Sequence, residues 1–305
     1  MRNIFFAATL LSSFAGLGVL GRPAHADVEV VATVPDLAAL AKEVGGPFVR
    51  VTSLSLPTQD PHFVDAKPSL VLRLNKADLL IAVGRELEVG WLPTLQTAAR
   101  NADILISGKG YLDCSQLVKR LDVPTGPVDR SMGDIHPSGN PHYLYDPRQA
   151  QVCAQGIAAR LAEIDPRHAR AYAQSYQGFV VRAEAARKGW EQRMAPYRGK
   201  PVITYHKSWN YLLDWLGLVE LANLEPKPGI PPSPRHVVEV LRVGRARGAR
   251  VVLQESFYPD KTGRLVAKKL DGEVVTLPGG ADVASGESYI EHMDHIIDAL
   301  EAALR

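Results

Sequence analysis

The chain is poor in cysteine, with two in 305 residues, and its 35 basic and 33 acidic side chains leave almost no surplus of either charge. Neither cysteine belongs to a Cys-x-x-Cys pair, which argues against a thiolate zinc site. No His-Glu-x-x-His segment and no Gly-x-Ser-x-Gly elbow occurs, so the common local signatures of a zinc peptidase and a serine hydrolase are missing. Low-complexity tracts are absent too. The single long apolar run stands at the amino terminus.

That run carries the compartment. Arg2 supplies a positive start, Ile4 to Leu20 is apolar, and Ala24-His25-Ala26 forms a small-x-small cleavage site before Asp27. Residues 1–26 therefore read as a secretory signal peptide. The run is short for a membrane span and ends in Gly21, Arg22 and Pro23, which argues against the alternative of a retained anchor. No cysteine sits at the cleavage point, so no lipid anchor is expected. Cleavage removes Arg2 and Arg22 and no acidic residue, which brings the two signs into balance. A balanced surface gives no reason to expect nucleic acid or an anionic membrane as a partner. Cys114 and Cys153 remain, and an even pair in an oxidising compartment suggests a disulfide, with two separate buried thiols as the alternative.

About 279 residues remain after cleavage, enough for two core-bearing lobes. Strand-like β-branched or aliphatic runs fall at 28–34, 49–54, 79–83 and 103–107. Helical periodicity falls between them, at 37–44, 68–76 and 91–99. The alternation returns later, with strands at 202–205, 219–224, 251–254 and 274–277 and helices at 209–216, 233–243, 261–270 and 289–304. Strands alternating with helices indicate α/β lobes with mostly parallel sheets and flanking helices. The expected division is an N-terminal lobe over 27–147, a helical region over 148–197 and a C-terminal lobe over 198–305. Asp165-Pro166 opens a stretch to about Arg193 whose only glycines are Gly178 and Gly189. It reads as one long rigid helix joining the lobes, or as two helices broken at Gly189. Residues 122–146 are crowded with proline and glycine and read as a long loop ending at His142.

Three histidines sit far apart in distinctive phrases: Asp60-Pro61-His62-Phe63, Asn140-Pro141-His142-Tyr143 and Tyr205-His206-Lys207-Ser208-Trp209. Their spacing is too wide for a single helical metal motif. His62 and His206 follow predicted strands, and ligands of open α/β sheets gather beyond the carboxyl ends of strands. If the lobes face each other, His62 and His142 line one wall of a cleft and His206 the other. Neutral imidazole is a common zinc ligand, so convergence would make a divalent-metal site.

Those phrases, together with Lys67-Pro68-Ser69, Asp146-Pro147, Asp165-Pro166 and Gln254-Glu255, stand in an order that resembles the zinc/manganese solute-binding proteins of bacterial ABC importers. The resemblance spans nearly the whole chain after the signal peptide. It implies two α/β lobes on a rigid linking helix, with one metal ion in the cleft between them. It implies His62, His142 and His206 as ligands, with Asp282 of Gly279-Gly280-Ala281-Asp282 in the place of a fourth, carboxylate ligand. It further implies a periplasmic monomer without enzymatic activity that binds Zn²⁺, with Mn²⁺ as the alternative cargo. Its partner would be a cognate ABC permease, with a metal chaperone as a further one. Glu255 would buttress the site or bind metal itself. His136 reads as a solvated loop histidine or a relay for incoming metal, and His168, His236, His292 and His295 as surface residues. Other functions on the same fold are an adhesin or a metal chaperone. A zinc hydrolase would require an open fourth position.

Overall fold

The computed structural model describes residues 28–126 and 136–305. The signal-peptide reading falls on residues outside that range. Two four-stranded sheets form, each wholly parallel. The first has the order β2-β1-β3-β4, from β1 (Val28–Ala32), β2 (Val49–Ser53), β3 (Leu79–Ala82) and β4 (Tyr111–Asp113). The second has the order β6-β5-β7-β8, from β5 (Pro201–Thr204), β6 (Val219–Asn223), β7 (Val251–Glu255) and β8 (Glu273–Leu277).

The period-2 alternation of the strands sorts their side chains into layers. Val28, Val30 and Ala32 of β1, Leu79 and Ile81 of β3, Val202 of β5, and Val251 and Leu253 of β7 face one central core shared by both lobes. Val31, Leu80 and Ala82 face the other way, onto α2 (Pro68–Lys76) and α3 (Leu92–Ala99). Ile203 and Val252 likewise face α7 (Pro234–Arg247) and α8 (Asp260–Lys269). Strands buried on both faces read as unbroken aliphatic runs, as Leu79–Ala82 does.

Helix ends follow local chemistry. Pro35 starts α1 (Pro35–Gly45), and Pro147 starts α4 (Pro147–Ile164), where Asp146 caps by accepting the Arg148 N–H. Ser288 and Glu291 form a reciprocal capping box on α9 (Tyr289–Leu304). Gly217 ends α6 (Asn210–Leu216) with φ 70°, a left-handed conformation that costs glycine little.

The linking element is a single helix, α5 (Ala169–Met194), of 26 residues and about 39 Å. A 3-10 turn over Pro166–His168 precedes it, and Gly189 does not break it. It packs on α1 and α4 on one side and on α9 on the other. Arg182 pairs with Glu43 of α1, while Trp190 Nε1 donates to Asp294 Oδ1 of α9 at 2.6 Å.

One expectation is corrected. Residues 103–107 form no strand: a 3-10 turn covers Ala102–Ile104, Ser107 takes φ 79°, and the edge strand comes later at Tyr111–Asp113. Cys114 and Cys153 are buried together in the central core as free thiols. The hydrogen bond with Cys153 and burial push the Cys114 thiol well up, which keeps it protonated.

Candidate metal centre

The parallel strands of both lobes point their carboxyl ends at the cleft. His62 lies on the loop after β2, His206 stands two residues past β5, and His142 immediately precedes a 3-10 turn (Tyr143–Tyr145) leading into α4. They converge. Their ligand-capable atoms lie within 4.8 Å of one another, and no other His/Cys/Asp/Glu group among the described residues meets that condition. Ring centroids are 5.3 Å apart for His62 and His142, 5.2 Å for His62 and His206, and 5.4 Å for His142 and His206.

Each ring is aimed by its neighbours. Asp60 Oδ1 accepts the His62 backbone N–H at 2.9 Å and bonds His62 Nδ1 at 2.7 Å. Glu225, two residues past β6, bonds His206 Nδ1 through Oε2 at 2.7 Å. A carboxylate on Nδ1 fixes the tautomer that leaves the Nε2 lone pair free, as in carboxylate–histidine–metal arrangements. Burial pushes the Asp60 carboxyl up, but the hydrogen bond and charge of His62 outweigh it and hold Asp60 below its ordinary value. His142 Nε2 is buried with no hydrogen-bond partner. Burial, then the facing His62 and His206, push the His142 imidazole well down, so it stays neutral. An orphaned neutral nitrogen beside two lone pairs fits a metal ion.

The loops carrying these rings are tied across the cleft. Asn140 Oδ1 accepts the His142 N–H at 2.9 Å, while Asn140 Nδ2 donates to the Lys207 carbonyl, next to His206, at 2.7 Å. Buried Arg85 donates to the Asn140 carbonyl at 3.0 Å, to Tyr211 Oη at 2.7 Å and to the Val118 carbonyl at 2.9 Å. One cation thus joins the His142 loop to α6 of the other lobe. Beside the histidines lies a cavity of about 40 Å³ lined by Asp36, Tyr145, Ser208, Glu255, Tyr258 and Gly279 among others. It has room for an ion and a water or two and is far too small for an organic solute.

Asp282 is not brought to this group. It is solvent-exposed, and its Oδ1 accepts the Ser285 N–H at 3.3 Å within its own turn. The loop before α9 meets the cavity through Gly279, which has no side chain to offer. Glu255 lines the cavity, but its carboxyl is outside the histidine triangle; burial, opposed by a Ser208 hydrogen bond, pushes it up to about 8. His136 is no solvated histidine: its Nε2 is 3.2 Å from His62 Nε2, and burial followed by the facing His62 and His206 pushes it down to about 3. His292 is buried at 1% exposure on the inner face of α9, whereas His295 is exposed and bonds Glu287. His168 stacks on Phe48 and bonds Asp165, and His236 Nε2 bonds the Asn223 carbonyl. Sequence reasoning missed Glu225 and Arg85. A carboxylate just past a strand end was the available signal for Glu225; Arg85 gave none.

A two-lobed α/β protein with a rigid linking helix and converged imidazoles at the lobe junction is a metal-binding protein of the solute-binding class. The chain belongs to the family described as zinc-uptake complex component A, periplasmic, whose model matches residues 30–303. Members of that family are extracytoplasmic binding components of ABC importers that work with a cognate permease. The chain is 27% identical to the high-affinity zinc uptake system protein ZnuA of Paracoccus denitrificans, over 86% of this chain and 85% of that one. It is 24% identical to a manganese ABC transporter substrate-binding lipoprotein of Streptococcus gordonii, over 100% and 99% of the two chains. It is also 24% identical to an iron-binding protein of Yersinia pestis, over 89% and 85%. Among solved structures, a crystal structure of ZnuA superposes with a TM-score of 0.76 at 21% identity, covering 91% of this chain and 99% of that one. No helix among the described residues is long and apolar enough to cross a membrane.

Proposed function

We propose that this protein, freed of residues 1–26, captures one Zn²⁺ in the periplasm through His62, His142 and His206 and delivers it to an ABC permease. The observation that carries the reading is the set of three imidazoles within 4.8 Å of one another. Relatives are named for zinc, manganese and iron, so the donor chemistry must choose among them. Imidazole suits zinc, whereas manganese prefers carboxylate and water oxygens. The nearest carboxylates, Asp60 and Glu225, are occupied in bonding the outer ring nitrogens. Their two negative charges offset a divalent ion without entering its coordination sphere. The small cavity also favours cargo over catalysis, since a hydrolase needs room for a substrate beside its metal.

The purified mature protein is expected to carry one zinc per chain by elemental analysis. Zinc at about 1,000 times its Kd should stabilise the fold by about 4 kcal/mol, read as a rise in Tm. Competitive titration should favour zinc over manganese. Retention of one tightly bound zinc by a His62→Ala, His206→Ala double variant would overturn the reading.

A further inference from the structure

We propose that His136 supplies a fourth imidazole to the metal, closing the site as an all-nitrogen tetrahedron. This rests on the reading of His62, His142 and His206 as ligands and adds to it the residue that completes the set.

The geometry at His62 points there. His136 Nε2 stands 3.2 Å from His62 Nε2. Two nitrogens bound at 2.0–2.1 Å to one tetrahedral zinc are separated by about 3.3 Å. The His136 ring lies 5.3 Å from that of His62, within the range that separates the other three rings, and 6.4 Å from that of His142. A backbone hydrogen bond with Arg85 steadies it, as carboxylates steady His62 and His206. The segment that follows is pinned: Ser138 Oγ donates to Glu86 Oε1 at 2.6 Å, and the Gly139 N–H donates to the His136 carbonyl at 3.1 Å. His136 is therefore held against the His62 nitrogen at the edge of the site; it is not within 4.8 Å of all three, so closing the tetrahedron requires its ring to move inward on loading. Asp282 does not take the position, because it faces solvent and Gly279 is what the loop before α9 presents; Glu255 lines the cavity but stands outside the histidine triangle.

The rival account is a plain hydrogen bond from His136 Nε2–H to the His62 Nε2 lone pair. That bond cannot persist once His62 binds metal through the same nitrogen. On loading, His136 either leaves or turns its own lone pair to the ion. An all-imidazole set would also sharpen selection against manganese.

Four variants of the mature protein distinguish these outcomes: His136→Ala, His136→Gln, Asp282→Ala and His206→Ala. Each is loaded with Co²⁺ for visible absorption and with Zn²⁺ for X-ray absorption, and zinc affinity is measured against a competing chelator. The parent should show intense tetrahedral cobalt bands and a zinc shell of four nitrogens. Both His136 variants should lose one nitrogen for an oxygen and weaken zinc by roughly 100-fold or more, since even outer-shell partners are worth 10–100-fold. Asp282→Ala should match the parent. Normal spectra and affinity in both His136 variants, with His206→Ala defective, would overturn the role of His136 and leave the three-histidine site standing. Loss of a ligand in Asp282→Ala would overturn it equally. Normal behaviour of His206→Ala would instead remove the underlying site. Matching metal-free melting temperatures guard against a folding artefact.

Discussion

Glu255 ends β7 with its carboxyl in the cavity wall, and burial lifts that group from 4.5 to about 8. Between those values the folded chain keeps a proton that the unfolded chain has released, so its contribution to stability is full below pH 4.5 and is lost as pH rises towards 8. In metal-free protein, Glu255→Gln should therefore gain stability relative to the parent at pH 8, by more than about 1 kcal/mol, and show little gain at pH 4.5. Denaturant unfolding at both pH values checks this; an equal effect at the two would assign the change to packing. His136 and His142 act in the opposite sense. Burial lowers them, so the unfolded chain takes up protons first as pH falls below 6.5, and stability drains away on the acid side. At this scale the convergence of the three histidines was legible because each stood in a distinctive phrase near a strand end. That Asp282 stands apart from them was not legible, because a Gly-rich loop has no period to reveal which residue turns inward. Glu225 left only the faint signal of a carboxylate just past a strand end, and the placement of Arg85 depends on tertiary contacts that no local pattern encodes.

At the scale of elements, α5 offers a test of whether its glycines serve a purpose. A Cβ added at Gly189 meets nothing within 4 Å, and one at Gly178 meets only the Arg182 side chain at 3.5 Å. Both lie inside the helix, where glycine costs about 0.5–1 kcal/mol relative to alanine. Gly178→Ala and Gly189→Ala should each stabilise by that amount in thermal unfolding. Neither should alter zinc affinity, because a rigid spine has no bending to lose. A gain in stability with weakened zinc would mean instead that α5 flexes in use. The helix itself was legible from its length without proline. Seven of the eight strands were legible too, as aliphatic runs bounded by helices. The exception was β4: Ile104-Leu105-Ile106 looks more strand-like than Tyr111-Leu112-Asp113, yet the left-handed Ser107 turn ends the first run, and the sheet pairs the second. A three-residue edge strand carries too little sequence to declare itself.

Taken whole, the molecule has a single large core that runs from β1 through α5 to the end of α9, so the lobes share their hydrophobic interior. Polar ties cross the junction as well. Asp36 Oδ1 accepts the Ala281 N–H at 2.9 Å, Tyr289 Oη donates to the Leu144 carbonyl at 2.6 Å, and Tyr211 Oη donates to the Lys119 carbonyl at 2.8 Å. Opening the lobes would expose that core and strand these groups together, at a cost of about 1–3 kcal/mol for each buried partner left unsatisfied. Hinge closure of the kind used to engulf large solutes is therefore disfavoured, and rearrangement on loading should stay within side chains and the ligand loops. Small-angle scattering of metal-free and zinc-loaded protein should show radii of gyration equal to within about 1 Å, the scale typical of pre-organised partners. Calorimetry should show one cooperative transition in both states, shifted upward by zinc. A compaction of several ångströms, or two resolved transitions, would mean the lobes move as independent bodies. Metal release would then follow from lobe opening. With one shared core, release must come from loosening the loops that carry the histidines, and the Asn140 bond to the Lys207 carbonyl, which couples two of them, is the first contact that loosening would break.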